Sequence, residues 1–250
     1  MEEKIINPKI SCVCVTHKKP HLLKRAIKCF QEQTYQNKQL VIVYEEQDKE
    51  THKYIQENKF EENIKIIKIS SLSDKKNLGE LRNISIQESD GEYIIQWDDD
   101  DWYHKDRLIK QLTFLTENKT AGVVLANWIM YDHYDEKAYL GHNNLWEGTI
   151  MCKKDILLKV PYLDLDKGED TFVITELNNK NHLSVIQDEP YLYIYTYHGD
   201  NTWDRDHFVS MFKDSTELSP EISEAVKNML SEKITQEEYS QICIYVGKSN

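Results

Sequence analysis

Residues 77–101 read NLGELRNISIQESDGEYIIQWDDDD, and this stretch decides the fold. Leu78, Leu81 and Ile84 to Ile86 suggest a helix, and Tyr93 to Trp97 a short apolar strand. The strand runs without a gap into Asp98, Asp99, Asp100 and Asp101. Four adjacent carboxylates repel one another and are poor strand formers. A hard divalent cation with oxygen ligands compensates such a cluster well. On an extended backbone alternate side chains share a face, so Asp98 and Asp100 are expected to point at one ligand. Taken alone, the run reads equally well as a solvated acidic turn. Its position after a strand, between Trp97 and Trp102, favours a site. An EF-hand loop does not fit, because the glycine and terminal glutamate of that motif are missing.

On the N-terminal side the pattern repeats. Ile10 to Val15 reads as a strand, and Pro20 opens a helix whose apolar face is Leu22, Leu23, Ala26, Ile27 and Phe30. Leu40 to Tyr44 is a second buried strand, Asp48 to Asn58 a polar helix and Ile64 to Ile69 a third strand. A loop from Ser70 to Asn77 completes this part. Strand–helix–strand repetition implies right-handed crossovers and a mostly parallel central sheet flanked by helices. Ligands bind beyond the carboxyl ends of such strands, which puts the loops after Val15, Tyr44 and Trp97 on one edge.

The C-terminal side is less regular. Arg107 to Leu115 and Thr171 to Leu177 read as helices. Val123 to Ala126, Gly148 to Met151, Leu183 to Ile186 and Tyr191 to Tyr197 read as strands. Beyond His207 the chain turns helical and charged, with Pro220 at a helix start. The expected division is a catalytic domain over 1–205 and a helical C-terminal extension over 206–250. Ile222, Val226, Met229 and Leu230 form an apolar stripe there. It is open to the domain itself, to a second copy of the chain or to a membrane surface, with packing on the domain favoured.

Composition bounds the function. The formal net charge of −12 disfavours a nucleic-acid grip, which needs Lys and Arg on phosphates. It does not disfavour a nucleotide whose diphosphate meets a cation held by carboxylates. No apolar run approaches the roughly 20 residues of a membrane span, and the opening MEEKIINPKI lacks the pattern of a secretory signal. A cytoplasmic location, including the inner face of a membrane, is therefore expected. Five cysteines without a CxxC pair argue against a disulfide framework or zinc site, and Cys12 and Cys14 read as strand packing.

Four blocks carry a family likeness. CVTHKKPHLLKRAIKCFQEQTYQNKQLVIVYEE (14–46) and the stretch 77–101 resemble the opening half of the inverting family-2 glycosyltransferases of GT-A fold. GEDTFVI (168–174) and YLYIYTYHGDNTW (191–203) resemble later parts of the same domain. The likeness spans about residues 9 to 205 in the right order.

The resemblance implies transfer of a sugar, with inversion, from a nucleotide-sugar donor, a UDP-sugar by expectation, to a glycan or other acceptor, assisted by Mn²⁺ or Mg²⁺. It implies that Thr16 lines the nucleotide pocket and that Glu45 takes the place of an aspartate on the base. Arg82 lies near the donor, Asp98 and Asp99 on the nucleotide-sugar side, with Asp98 on the ribose or metal, and Asp100 on the metal. Asp170 falls at the catalytic base position. His198 falls where some members supply a further metal or phosphate contact. Tyr44-Glu45-Glu46 and Thr16-His17-Lys18-Lys19 depart from the usual Asp-Asp-Gly-Ser and Thr-Tyr-Asn-Arg, which bears on nucleotide identity more than on fold.

Each role has a plainer alternative. Asp170 could only cap a helix. Glu169 could orient the acceptor or be surface charge, and Arg82 could pair with the diphosphate or with the aspartates. His198 could be a structural hydrogen-bonder. Trp102 and Trp146 could stack on sugars or pack in the core. A nucleotidyltransferase would need a glycine-rich loop after the first strand, which THKKPHLL lacks. A non-catalytic nucleotide- or carbohydrate-binding module on the same fold is the other competing function.

Overall fold

A computed structural model describes residues 7–70, 75–141 and 145–246. The first residues of the N-terminal stretch, residues 71–74 of the expected Ser70–Asn77 loop, and Gly247 at the end of the C-terminal stretch lie outside the described residues. The first half alternates as the apolar spacing predicts: β1 (Ile10–Val15), α1 (Pro20–Gln31), β2 (Lys38–Glu45), α2 (Lys49–Glu57), β3 (Ile64–Ile69), α3 (Leu78–Gln87) and β4 (Tyr93–Gln96). The second half continues with β5 (Trp102–Tyr103), α4 (Arg107–Asn118), β6 (Gly122–Leu125), β7 (Trp128–Asp132), β8 (Lys137–Gly141), β9 (Trp146–Lys153) and a single-turn α5 (Lys154–Leu157). It closes with α6 (Thr171–Asn179), β10 (Leu183–Ile186), β11 (Tyr193–Tyr197), α7 (Arg205–Lys213), β12 (Thr216–Glu217), α8 (Pro220–Leu230) and α9 (Gln236–Cys243). Tyr191 and Leu192, expected as strand, form a 3-10 turn with Pro190. Proline fixes its own φ and lacks the N–H that strand pairing needs.

Among the described residues the main sheet has the order β10-β6-β9-β4-β1-β2-β3. Its pairs are parallel except where β9 runs antiparallel between β4 and β6. Both faces are covered. Cys12, Cys14, Leu40 and Ile42 pack with Leu23, Ala26 and Phe30 of α1. Val13, Ile94 and Val124 pack on the other side with Ile86 of α3 and Val173 and Leu177 of α6. Strand side chains alternate between faces, so a strand buried on both must be apolar throughout. The five cysteines are free and buried.

From β1 the chain goes to β2 and β3 on one side and returns to β4 on the other. The order reverses between β1 and β4, and a crevice opens outside the carboxyl ends of strands at such a point. Val13 lies beside Gln96, so Thr16 to Lys19 and the aspartate run emerge next to one another.

A second sheet, β12-β8-β7-β11-β5, closes the opposite wall. The C-terminal helices pack onto this body. Phe208 of α7 lies against Tyr195 and Tyr197, with ring centroids 4.9 and 4.6 Å away. Val226 and Met229 of α8 are buried in the main core, so the apolar stripe serves packing. Among the described residues no helix is long and apolar enough to cross a membrane.

Candidate active site

A cavity of about 720 Å³ lies beyond the carboxyl ends of β1 and β4. Thr16, Arg82, Asp98, Asp99, Asp100, Glu169 and Asp170 all line it. The loop after β1 is built with care. Lys18 has φ +57°, a left-handed conformation uncommon for a residue with a Cβ. Its N–H donates to Asp48 Oδ2 at 2.6 Å, while Asp48 Oδ1 accepts from Thr51 N–H at 3.0 Å and caps α2. Burial raises the Asp48 pKa, but these hydrogen bonds outweigh it and hold the carboxyl below its usual value. Its stabilisation is thus present above the unfolded pKa, about 3.9, and is lost as pH falls below that. Asp48→Ala removes a cap and leaves two N–H groups without their acceptor. It should cost about 1–2 kcal/mol in urea unfolding at pH 7.

The four aspartates do not continue the strand. β4 ends at Gln96, and the run passes through a turn before β5. Asp98 and Asp100 therefore do not share one face of a strand, as expected from alternation, but diverge to separate partners. Mutual repulsion is relieved by giving each carboxylate its own donor. Asp98 Oδ1 pairs with Arg82 Nη2 at 2.8 Å. Asp100 Oδ2 meets Lys19 Nζ at 2.6 Å and His198 Nε2 at 3.2 Å, and Asp99 Oδ1 lies 3.7 Å from Lys19. Asp101 turns inward, fully buried, to accept from Tyr193 Oη and from Thr196 N–H at 3.1 Å. Burial drives the Asp99 and Asp101 pKa values up, Asp99 to about 7. Burial acts on Asp100 too, but there the Lys19 and His198 contacts prevail and the pKa falls. Below the turn the buried Arg107 guanidinium lies 5.4, 4.7 and 5.4 Å from the ring centres of Trp97, Tyr103 and Tyr193. This aromatic cage offsets part of the cost of burying a cation that pairs with no carboxylate among the described residues.

Arg82 is the hub of the opposite wall. It is 5 % exposed, bridges Asp98 and Glu169 Oε1 (2.7 Å from Nε), and leaves Nη1 without a hydrogen-bond partner among the described residues. Glu169 is 3 % exposed, so it is not surface charge: it lines the cavity and accepts from Arg82 Nε. Asp170 stands at the N-cap position of α6, yet its side chain makes no capping hydrogen bond. Its polar neighbour is Gln96, whose Nε2 lies 3.5 Å from Asp170 Oδ2 and 3.2 Å from Asp98 Oδ2. Tyr162 Oη donates to Gln96 Oε1 at 3.0 Å, which turns the amide N–H₂ toward both carboxylates. Burial, with Glu169 nearby, raises the Asp170 pKa to about 7 against the pull of Arg82. Two glycines make this wall feasible. A Cβ on Gly79 would fall 1.7 Å from Leu163 O, so the close approach of α3 to the 163–165 segment requires glycine at 79; Gly168 has φ +68° just before the Glu169-Asp170 pair.

Three of the sequence candidates stand off the cavity wall. Glu45 is buried at the end of β2 and is not among the residues lining the cavity; Asp48 is the acid that reaches the β1 loop. Trp102 lies under α9, 5.0 Å from Tyr239, and is a core residue, whereas Trp146 does line the cavity. His198 is off the cavity wall and reaches it through Asp100. Its Nδ1 accepts from Asp200 N–H at 3.3 Å, which leaves the proton on Nε2 for Asp100. Lys19, Gln96 and Tyr162 were missed. The only signal for Lys19 was its place in the loop after β1, and Gln96 and Tyr162 read as ordinary polar and aromatic residues.

An acidic crevice at the reversal point of a mixed sheet, walled by a second small sheet, defines the class as an α/β protein of GT-A fold. Residues 11–164, more than half of the chain, match the model of "Glycosyl transferase family 2", and the chain belongs to that family. Among solved structures it is similar to S. aureus TarS 1-349, at 17% identity and TM-score 0.61 over 75% of this chain and 60% of that one. It is similar to the same fragment in complex with UDP (16%, TM-score 0.60, 93% and 77%) and with UDP-GlcNAc (15%, TM-score 0.61, 94% and 70%). At these identities the likeness is one of fold. The chain spans 60% of the first of these structures and 42% of a longer TarS structure. No curated protein matches the sequence significantly.

Proposed function

We propose that the protein transfers a sugar, with inversion, from a UDP-sugar to a hydroxyl of a glycan or other acceptor. The observation that carries this is the Gln96 bridge. It holds Asp98, which we read as the donor side, and the uncapped Asp170 on one wall, beside Arg82 Nη1, which has no hydrogen-bond partner among the described residues. Inversion is a single in-line displacement. The acceptor oxygen bonds to the anomeric carbon as the bond from that carbon to the diphosphate oxygen breaks. Asp170 takes the acceptor proton, and Arg82 Nη1 offers a hydrogen bond to the departing diphosphate. Glu169 and Asp98 hold the guanidinium in place, and Thr16 lines the nucleotide side. The solved UDP and UDP-GlcNAc complexes of a protein with this fold favour UDP as the nucleotide.

Among the described residues no three His, Cys, Asp or Glu side chains converge as a metal cage. The oxygens of Asp100, with His198 beside it, nevertheless suit Mg²⁺ or Mn²⁺. Such ions are held at nucleotide sites by one or two protein groups plus phosphate and water. His198 could ligate only after its Nε2 proton moves to Nδ1. When bound, the ion supplies further neutralisation of the diphosphate. UDP with Mn²⁺ should raise the melting temperature more than UDP alone, with stabilisation of about 2.7 kcal/mol at a hundred times the Kd. A thermal-shift titration in which no nucleoside diphosphate, with or without Mn²⁺, moves the transition would defeat the proposal.

A further inference from the structure

Lys19 stands at the N-cap of α1 but makes no side-chain cap; its chain turns instead to the aspartate turn. Its ammonium, on a side chain 14 % exposed, lies on Asp100 Oδ2, the same oxygen that His198 meets. A divalent cation on Asp100 and Lys19 cannot both take that position. Asp100 is the fixed member of the pair. Its carbonyl accepts from Arg25 and from Thr196 Oγ1 at 2.6 Å. The Lys19 backbone is fixed as well, through the Asp48 contact at Lys18. Only the flexible stem of Lys19 has the freedom to carry its charge elsewhere. Lys19 also lines the cavity, where a diphosphate would enter.

We infer that Lys19 is a resident counter-cation that occupies the divalent ion's place on Asp100 until a nucleoside diphosphate draws the ammonium onto its phosphate oxygens. This rests on the metal-assisted reading of the site above. Divalent-ion affinity then depends on the nucleotide. By linkage the ion and the nucleotide tighten one another by the same factor.

The test is Mn²⁺ binding, followed by electron paramagnetic resonance and calorimetry, with and without UDP. Wild type should bind Mn²⁺ weakly alone and much more tightly with UDP. Lys19→Met should bind Mn²⁺ alone at least tenfold more tightly than wild type and gain less from UDP. Lys19→Gln is the second neutral variant should Lys19→Met fold poorly, and Lys19→Arg, which keeps the cation, should behave as wild type. UDP-dependent Mn²⁺ binding that is equally weak without UDP in wild type and in the neutral variants overturns the role of Lys19 alone. Absence of Mn²⁺ binding to every protein, even with UDP, overturns it together with the metal reading.

Discussion

Asp170→Asn is expected to slow sugar transfer by about 10²–10⁴-fold while leaving UDP affinity within about threefold. The substitution removes a proton acceptor but keeps the shape of the side chain and its contact with Gln96. The rate should also depend on pH in a way that the variant loses. Burial and the neighbouring Glu169 raise the Asp170 pKa to about 7. A base acts only when ionised, so transfer should rise with pH and level off above about 7. Below that it should fall about tenfold per pH unit. Initial rates at saturating donor against pH, with UDP calorimetry on both proteins, check the prediction. Stability separates the base from a helix cap. A carboxyl whose folded pKa lies above its unfolded value loses stability as pH rises from the unfolded pKa through about 7. Asn carries no such penalty, so the variant should melt higher than wild type at pH 8. A cap role would predict a retained rate, and the uncapped geometry at α6 already speaks against it.

Arg82→Met should be the most damaging single change. Arg82 neutralises two carboxylates, the partly buried Asp98 at 2.8 Å and the buried Glu169 at 2.7 Å. Without it their charges face one another in a poorly solvated wall, a loss of about 3–5 kcal/mol. UDP binding should weaken about 10–100-fold, because the diphosphate loses the charge-assisted hydrogen bond from Nη1. Adding Asp98→Asn and Glu169→Gln to Arg82→Met should recover most of the melting temperature and none of the transfer. That outcome would separate the structural cost of unpaired charge from the functional loss. Urea unfolding of the single and triple variants, with UDP titration, provides the measurement. Equal stability of Arg82→Met and wild type would remove Arg82 from the centre of the site.

The first half of the fold was legible because its central strands, β1 and β2, are covered on both faces. Ile10–Val15 and Leu40–Tyr44 have almost no polar positions, and the helices between them keep one apolar face. The mixed character of the sheet was not legible. β9 was seen only as Gly148 to Met151, and nothing in a short apolar run states its direction. The second sheet escaped because β7 and β8, five residues each, were not read as strands, and β5 and β12 are only two residues long. Such strands exist only through their partners, and periodicity needs more residues than that.

Of the site, the chemistry of the sequence pointed to the acidic run after a strand, while Arg82, the Glu169-Asp170 pair and His198 entered only through the family resemblance. The sequence determined by itself that carboxylates would gather at the end of β4 and that a doubly covered sheet would present them at its edge. Only the tertiary structure decided which carboxylate meets which cation. It placed Asp101 in the core, set Glu169 on Arg82 and gave Asp100 to Lys19. The reason is physical: these pairs join residues 81 to 98 positions apart, and their energies depend on distance and burial, which chain order does not contain.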